Sequence, residues 1–193
     1  VNLLSKRGDI MPDLWVFGYG SLMWWPGFPF KARYGARLYG YHRAFCVYSH
    51  VHRGTPERPG LVFGLDRGGA CRGFAFQVDA GDAADTRAYL QEREQVTSVY
   101  LDVSRPLALL EAPVEKVEAL CFIVDRDHQQ YAGKLPFDEQ ADIIAKGVGK
   151  SGENPDYLSS TVAHLKEMGI SDHGLERLLH AVEQRLHQCS SHR

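Results

Sequence analysis

Residues 92–94, Glu-Arg-Glu within "YLQEREQVTSVY", set two carboxylates around a guanidinium. A carboxylate withdrawn from water has a raised pKa and can exchange protons near neutral pH, which general acid–base chemistry requires. On a helix, residues four apart share a face and residues two apart point almost oppositely. Glu94 therefore lies with Leu90, Ala83 and roughly Arg87, while Glu92 points away. If Leu90 faces the core, Glu94 does too. On the helix alone the plainer alternative is favoured, in which Arg93 or Arg87 pairs with these acids on a solvated face, because structural ion pairs outnumber catalytic carboxylates.

A second stretch, "FGYGSLMWW" at 17–25, ends a strand in Gly18-Tyr19-Gly20-Ser21-Leu22. Small residues there let backbone N–H groups converge on a concavity suited to a carboxylate or an oxyanion. A dinucleotide fingerprint is excluded, since "SLMWWPGFPF" supplies neither the third glycine nor a helix. Cys46, Cys71, Cys121 and Cys189 are widely separated with no C-x-x-C pair, so reduced, mostly buried thiols are expected. His50 and His52 lie two apart with no identifiable third ligand, and no metal is expected. His173, His180 and His187 project opposite a leucine stripe as a polar helix face.

The elements that must position these residues fall into two groups. Four β-segments, "LWVFGYG", "ARLYGYHRAFCVYS", "GLVFGLDRGG" and "CRGFAFQV", fill the chain up to residue 78. A helix of about three turns follows over 82–94 with Asp82 as N-cap. Two further strands are read in "VYLDVSRPLALL" and "VEKVEALCFIVD", the second alternating Leu120, Phe122 and Val124 on one face. "FDEQADIIAKGV" is a short helix, and "NPDYLSSTVAHLKEMG" a longer one with Asn154 as N-cap, Pro155 at the first position and Gly169 after the last turn. A final helix lines up Leu175, Leu178, Leu179, Val182 and Leu186. Strands followed by helices, rather than strict alternation, predict an α+β domain, a small mixed β-barrel with flanking helices and a helical C-terminal part. The expected organisation is a loose tail over 1–11, a single domain over 12–187 and a C-terminal tail over 188–193, with Met11, followed by Pro12, read as a plausible true start.

Composition narrows the function classes. The chain has 193 residues, 44% hydrophobic and 24% charged, which are ordinary globular values. Lysine and arginine number 22 against 24 acidic residues with no basic run, so no nucleic-acid partner is expected. No apolar run approaches the roughly 20 residues that span a bilayer, and the first twelve residues lack a signal-peptide pattern. No membrane association and a cytoplasmic location are expected.

Four blocks in order, "FGYGSLMWWPGF", "HRGTPERPGLVFGL", "YLQERE" with Tyr100 beyond it, and "GKSGENPDYLSSTVAHL", resemble those of the ChaC-like γ-glutamylcyclotransferases over about residues 15–170. The resemblance implies a γ-glutamylcyclotransferase-like barrel that cleaves γ-glutamyl compounds, typically glutathione, to 5-oxoproline and cysteinylglycine, with no cofactor or metal and a small molecule as its partner. It further implies that Tyr19, Gly20, Ser21 and Leu22 hold the γ-glutamyl group and that Glu94, in the R-E pair, is the catalytic carboxylate. Tyr157 matches a family tyrosine at the substrate pocket, with a buried structural tyrosine as the equal alternative. Arg53 suits bidentate pairing with the substrate's glycine carboxylate, with an exposed loop arginine as the even alternative. Tyr100 is read as packing. Lys146 and Lys150 depart from the expected smaller or neutral residues near a substrate, which bears on substrate choice. Two competing readings are a cyclotransferase for other γ-glutamyl amines or amino acids, and a noncatalytic γ-glutamyl-binding module.

Overall fold

In the computed structural model of the chain, residues 12–94 and 98–190 are described. The expected tail over 1–11 lies outside them, as do residues 95–97 and 191–193. Five strands close into a barrel in the order β1-β3-β2-β4-β5. They are β1 (Leu14–Gly18), β2 (Ala32–Ser49), β3 (Gly60–Val78), β4 (Tyr100–Leu109) and β5 (Lys116–Val124). All neighbours are antiparallel except the closing pair, where β1 runs parallel to β5 with Val16 opposite Leu120. Closure removes the free sheet edges that an open five-stranded sheet would expose. Four helices complete the α+β fold: α1 (Ala83–Glu94), α2 (Phe137–Lys146), α3 (Asn154–Glu167) and α4 (His173–Ser190).

Over residues 12–78 there are three strands, not four, because the two segments read on either side of Gly68-Gly69 are one strand, β3. Between the pairs Tyr39–Ala70 and Tyr41–Arg67, one residue of β2, Gly40, stands opposite two of β3. All three glycines take positive φ, at 83°, 106° and 69°. The glycine pair is therefore a bulge that bends a continuous ribbon, and only glycine adopts these angles without strain.

Alternation along β5 sorts its side chains into two cores. Ala119, Cys121 and Ile123 join the large cluster with Phe17, Leu38 and Leu61, and this cluster continues into Ile144, Leu158, Leu165 and Val182 of the helices. Leu120 and Phe122 join Leu14, Val16, Leu22, Phe76 and Leu90, the layer that α1 covers. The α1 helix is preceded by a 3-10 turn capped by Asp79, whose carboxylate accepts from the Gly81 N–H, so Asp82 is not the N-cap. In α4, Leu175, Leu178 and Val182 are buried, but residues 183–188 are exposed or part-exposed. The last turns of α4 project into solvent and carry Leu186 out with them, and the helix runs on through 188–190.

The α3 helix ends as its sequence predicts. Gly169 has φ of 69°, its N–H reaches Lys166 O, and Ile170 N–H reaches Leu165 O, which is the paired-bond C-terminal motif. Its start differs from expectation. Asn154 is not the cap, a position held by Glu153 without a side-chain bond. The Asn154 amide instead accepts from Leu61 N–H at 2.7 Å and donates to Leu61 O at 2.8 Å, with the residue 0% exposed. A side chain that satisfies both peptide groups of a barrel residue is used up as a cap.

A buried carboxylate fastens β3 a few residues further on, just before the bulge. Asp66 accepts from Tyr131 Oη at 2.8 Å, from Arg126 Nε at 2.7 Å and from the Arg67 N–H at 2.8 Å. Burial pushes its carboxyl up, but these donors outweigh it and hold the group below the usual carboxylate range.

Two outcomes follow from these contacts. Asn154→Ala strands both Leu61 peptide groups and should cost roughly 3 kcal/mol in urea unfolding; an unchanged midpoint would show that water replaces the amide. Because the folded Asp66 carboxyl sits below its unfolded value, its contribution is fully present above the unfolded pKa and is lost as pH falls through the folded one. Asp66→Asn should therefore cost about 2 kcal/mol at neutral pH and progressively less as pH falls through and below the ordinary carboxylate range. A pH-independent difference would remove the ionised carboxylate as the cause.

Candidate active site

Five elements meet at one small cavity. Its wall consists of Tyr19, Gly20, Ser21 and Leu22 from the segment after β1, Phe63 of β3, Tyr100 of β4, Phe122 of β5 and Tyr157 of α3, around about 70 Å³. The first segment leaves β1 at Gly18 and makes one 3-10 turn over Ser21–Met23. Met23 N–H bonds Gly20 O, and Trp25 N–H bonds Ser21 O. A helical turn leaves its leading N–H groups without partners inside the turn, here those of Gly20, Ser21 and Leu22. The turn is held from beneath by Arg43, whose Nε donates to Tyr19 O at 2.6 Å, and from one side by Trp24, whose ring stacks on His164 of α3 at 4.6 Å.

The four loop residues and Tyr157, named from sequence, are thus brought together. Tyr157 packs edge-on against Phe45 and tilted against Phe63. Arg53 stands behind it, with its guanidinium carbon 5.2 Å from the centre of the Tyr157 ring and Nη1 donating to Glu153 O. Arg53 flanks the cavity rather than lining it. A short hairpin, β6 (Val148–Gly149) and β7 (Gly152–Glu153), buttresses its segment, since Lys150 N–H bonds Val51 O and Ser151 N–H bonds His52 O. Lys146 and Lys150 are exposed and form no part of the cavity wall.

Tyr100, read from sequence as packing, is part of that wall, and its hydroxyl donates to Phe63 O at 2.5 Å. Phe63 and Phe122 were not singled out. Both sit in apolar strand runs, where nothing local separates a residue facing a cavity from one facing the core.

Glu94 is the last residue of α1, one turn beyond Leu90, which is 0% exposed. The side chain of Glu94 lies outside the described residues, while Glu92 is exposed. Arg93 is described. Its Nη1 donates to Trp25 O at 2.8 Å, Pro26 O at 3.4 Å and Tyr89 Oη at 2.9 Å, and its Nη2 to Ser21 Oγ at 2.9 Å. Arg93 therefore fastens the end of α1 to the 19–26 loop.

The three described thiols, Cys46, Cys71 and Cys121, are buried away from the cavity wall. Burial pushes Cys46 and Cys121 up to about 12 and raises Cys71, so none supplies a thiolate at neutral pH. The side chain of Cys189 lies outside the described residues. His52 Nδ1 is 2.9 Å from Ser151 Oγ, and the described residues contain no group of three or more His, Cys, Asp or Glu arranged for a metal. No helix among them is long and apolar enough to cross a membrane.

Comparison with known proteins gives a consistent result. A family model described as ChaC-like protein matches residues 14–185. The chain is 36% identical over 183 residues to a glutathione-specific gamma-glutamylcyclotransferase of Escherichia coli (strain K12), covering 95% of this chain and 78% of that one. It is 34% identical over 155 residues to glutathione-specific gamma-glutamylcyclotransferase 1 of Homo sapiens, covering 79% and 70% respectively. Among solved structures, a yeast gamma-glutamyl cyclotransferase specific to glutathione superposes with a TM-score of 0.81 at 25% identity, over 92% of this chain and 98% of that one.

The junction of loop and helix depends on one glycine. Gly27 has φ of 75°, and a Cβ there would lie 2.1 Å from the Tyr89 hydroxyl oxygen. Gly27→Ala should displace Tyr89 and lower stability by about 2 kcal/mol or more in thermal unfolding. An unchanged melting temperature would mean that the loop packs differently.

Proposed function

The chain belongs to the ChaC-like family, and from that premise we propose that it is a γ-glutamylcyclotransferase that cleaves glutathione to 5-oxoproline and cysteinylglycine. The observation that carries this reading is the convergence of Tyr19–Leu22 and Tyr157 on one cavity of about 70 Å³. That space receives the folded γ-glutamyl head, and the rest of the tripeptide lies outside it. Cysteinylglycine then extends outward past Tyr157 toward Arg53, whose guanidinium pairs with the glycine carboxylate.

The reaction is a ring closure. The α-amine of the γ-glutamyl group attacks its own γ-carbonyl, a carbon–nitrogen bond to that amine forms, and the one to the cysteine nitrogen breaks. Starting from the α-ammonium, the attacking nitrogen gives up two protons in becoming the lactam N–H and the departing nitrogen gains two in becoming an ammonium, with no net change in oxidation state and no water consumed. Because both reacting groups belong to one molecule, holding the chain bent removes much of the barrier. Walls of Phe63, Phe122, Tyr100 and Tyr157 suit that task and keep water from the carbonyl. Glu94 accepts a proton from the α-ammonium and delivers one to the leaving amine, and the second proton of the attacking nitrogen passes the same way as the ring amide forms. N–H groups of residues 20–22 hold the α-carboxylate or the oxyanion that develops at the γ-carbonyl. The hydroxyl of Tyr157 binds a substrate carboxylate or assists proton transfer. A glutathione substrate fits a cytoplasmic location, where that thiol pool is kept reduced.

The test is incubation of the purified protein with glutathione and no added metal, following both products, with Glu94→Gln in parallel. Wild type should form both, and Glu94→Gln should lose on the order of a thousandfold in kcat while melting like wild type. Retained activity in the variant removes Glu94 from the mechanism. A folded wild type that yields no product removes glutathione as substrate and turns the search to other γ-glutamyl amines.

A further inference from the structure

The contact between Arg93 and Ser21 has a chemical direction. A guanidinium carries only donors, whereas a serine hydroxyl carries one donor and two acceptor lone pairs. At 2.9 Å from Arg93 Nη2, Ser21 Oγ must accept. Its own hydrogen then has to point elsewhere, and Ser21 lines the cavity. The guanidinium cannot turn away from this duty easily. Its Nη1 is held by the carbonyls of Trp25 and Pro26 and by the Tyr89 hydroxyl, so the fork is fixed by three oxygens that belong to the cavity's support and not to its wall.

We propose that Arg93 is a positioning residue that fixes the Ser21 hydroxyl as a hydrogen-bond donor to the α-carboxylate of the γ-glutamyl group. This rests on the function proposed above and assigns a polarity to its binding loop. The loop then faces the substrate as donors only, the N–H groups of residues 20–22 and the Ser21 O–H, with a cation one atom layer behind. Such a wall discriminates against a γ-linked chain that lacks the α-carboxylate, because a donor that loses its acceptor in a closed site is left unpaired.

Two substitutions at residue 93 separate this from simple support. Lysine, like arginine, can only donate. Glutamine offers an acceptor oxygen, which can draw the Ser21 hydrogen out of the cavity and reverse the hydroxyl. In the wild-type background, Arg93→Gln should lower kcat/KM on the order of a hundredfold and Arg93→Lys about tenfold. In the Ser21→Ala background the two should become equal, and the double variants should be little worse than Ser21→Ala alone. Melting temperatures of all variants serve as the control for folding. Equal losses in both backgrounds, the additive result, would overturn the proposal and leave Arg93 as a mere brace.

Calorimetric binding of 5-oxoproline, which retains the α-carboxylate, gives the same cycle without turnover. If wild type binds 5-oxoproline but leaves glutathione intact, the proposed reaction fails while the cycle in affinity still decides the role of Arg93. A folded wild type that neither consumes glutathione nor binds 5-oxoproline overturns both.

Discussion

Two hydrogen bonds from the buried amide of Asn154 to the peptide group of Leu61 hold the molecule's two halves in register. One half is the barrel, which contributes Phe63 two residues further along β3, and the other is the helical part, which contributes Tyr157 one turn into α3. Buried backbone groups must find partners, so this contact has one geometry and not a range of them. The separation of strand and helix, and with it the width of the cavity, is thereby set by a polar lock inside an otherwise apolar interface. Arg93 plays the matching part on the opposite side, where it joins α1 to the 19–26 loop.

The cavity combines two kinds of wall. Rings from three strands and a helix make one side apolar, and a single turn of backbone with a serine makes the other a set of donors. An anionic head group is bound well by donors only if water does not compete for them, and the rings provide that exclusion. Neither wall suffices alone. The loop is also an irregular connection leaving a barrel strand, which is a usual location of recognition on a rigid scaffold.

What could be read from sequence was whatever local chemistry determines. The cavity loop 19–22 was legible because small residues after an apolar strand have a specific use, and the end of α3 because Gly169 has one as well. The alternation of β5 predicted that Leu120 and Phe122 share a face, which they do in the layer under α1, but not that Ala119, Cys121 and Ile123 on the other face are buried as well. Leu90, on the face that helix geometry also gives to Glu94, is fully buried. Long-range partners erased the rest. Asn154 has the residue type and position of a cap, yet a backbone 93 residues away claims its side chain. Gly68-Gly69 looks like a strand break because the bulge partner, Gly40, lies nearly thirty residues earlier. Tyr100, Phe63 and Phe122 line the cavity only because the barrel curls them toward the same point, and nothing in their own segments encodes that.

The parallel pairing of β1 with β5 has a consequence for how the protein comes into being. Val16 meets Leu120 across about a hundred residues, and the strand that closes the barrel is the same one that leads directly into residues 19–22. Contacts of such sequence separation form late, because loop closure must precede any reward from pairing. The cavity around residues 19–22 is therefore complete only once the last seam of the barrel is shut. A ligand that binds only the completed cavity pulls the folding equilibrium toward closure by mass action.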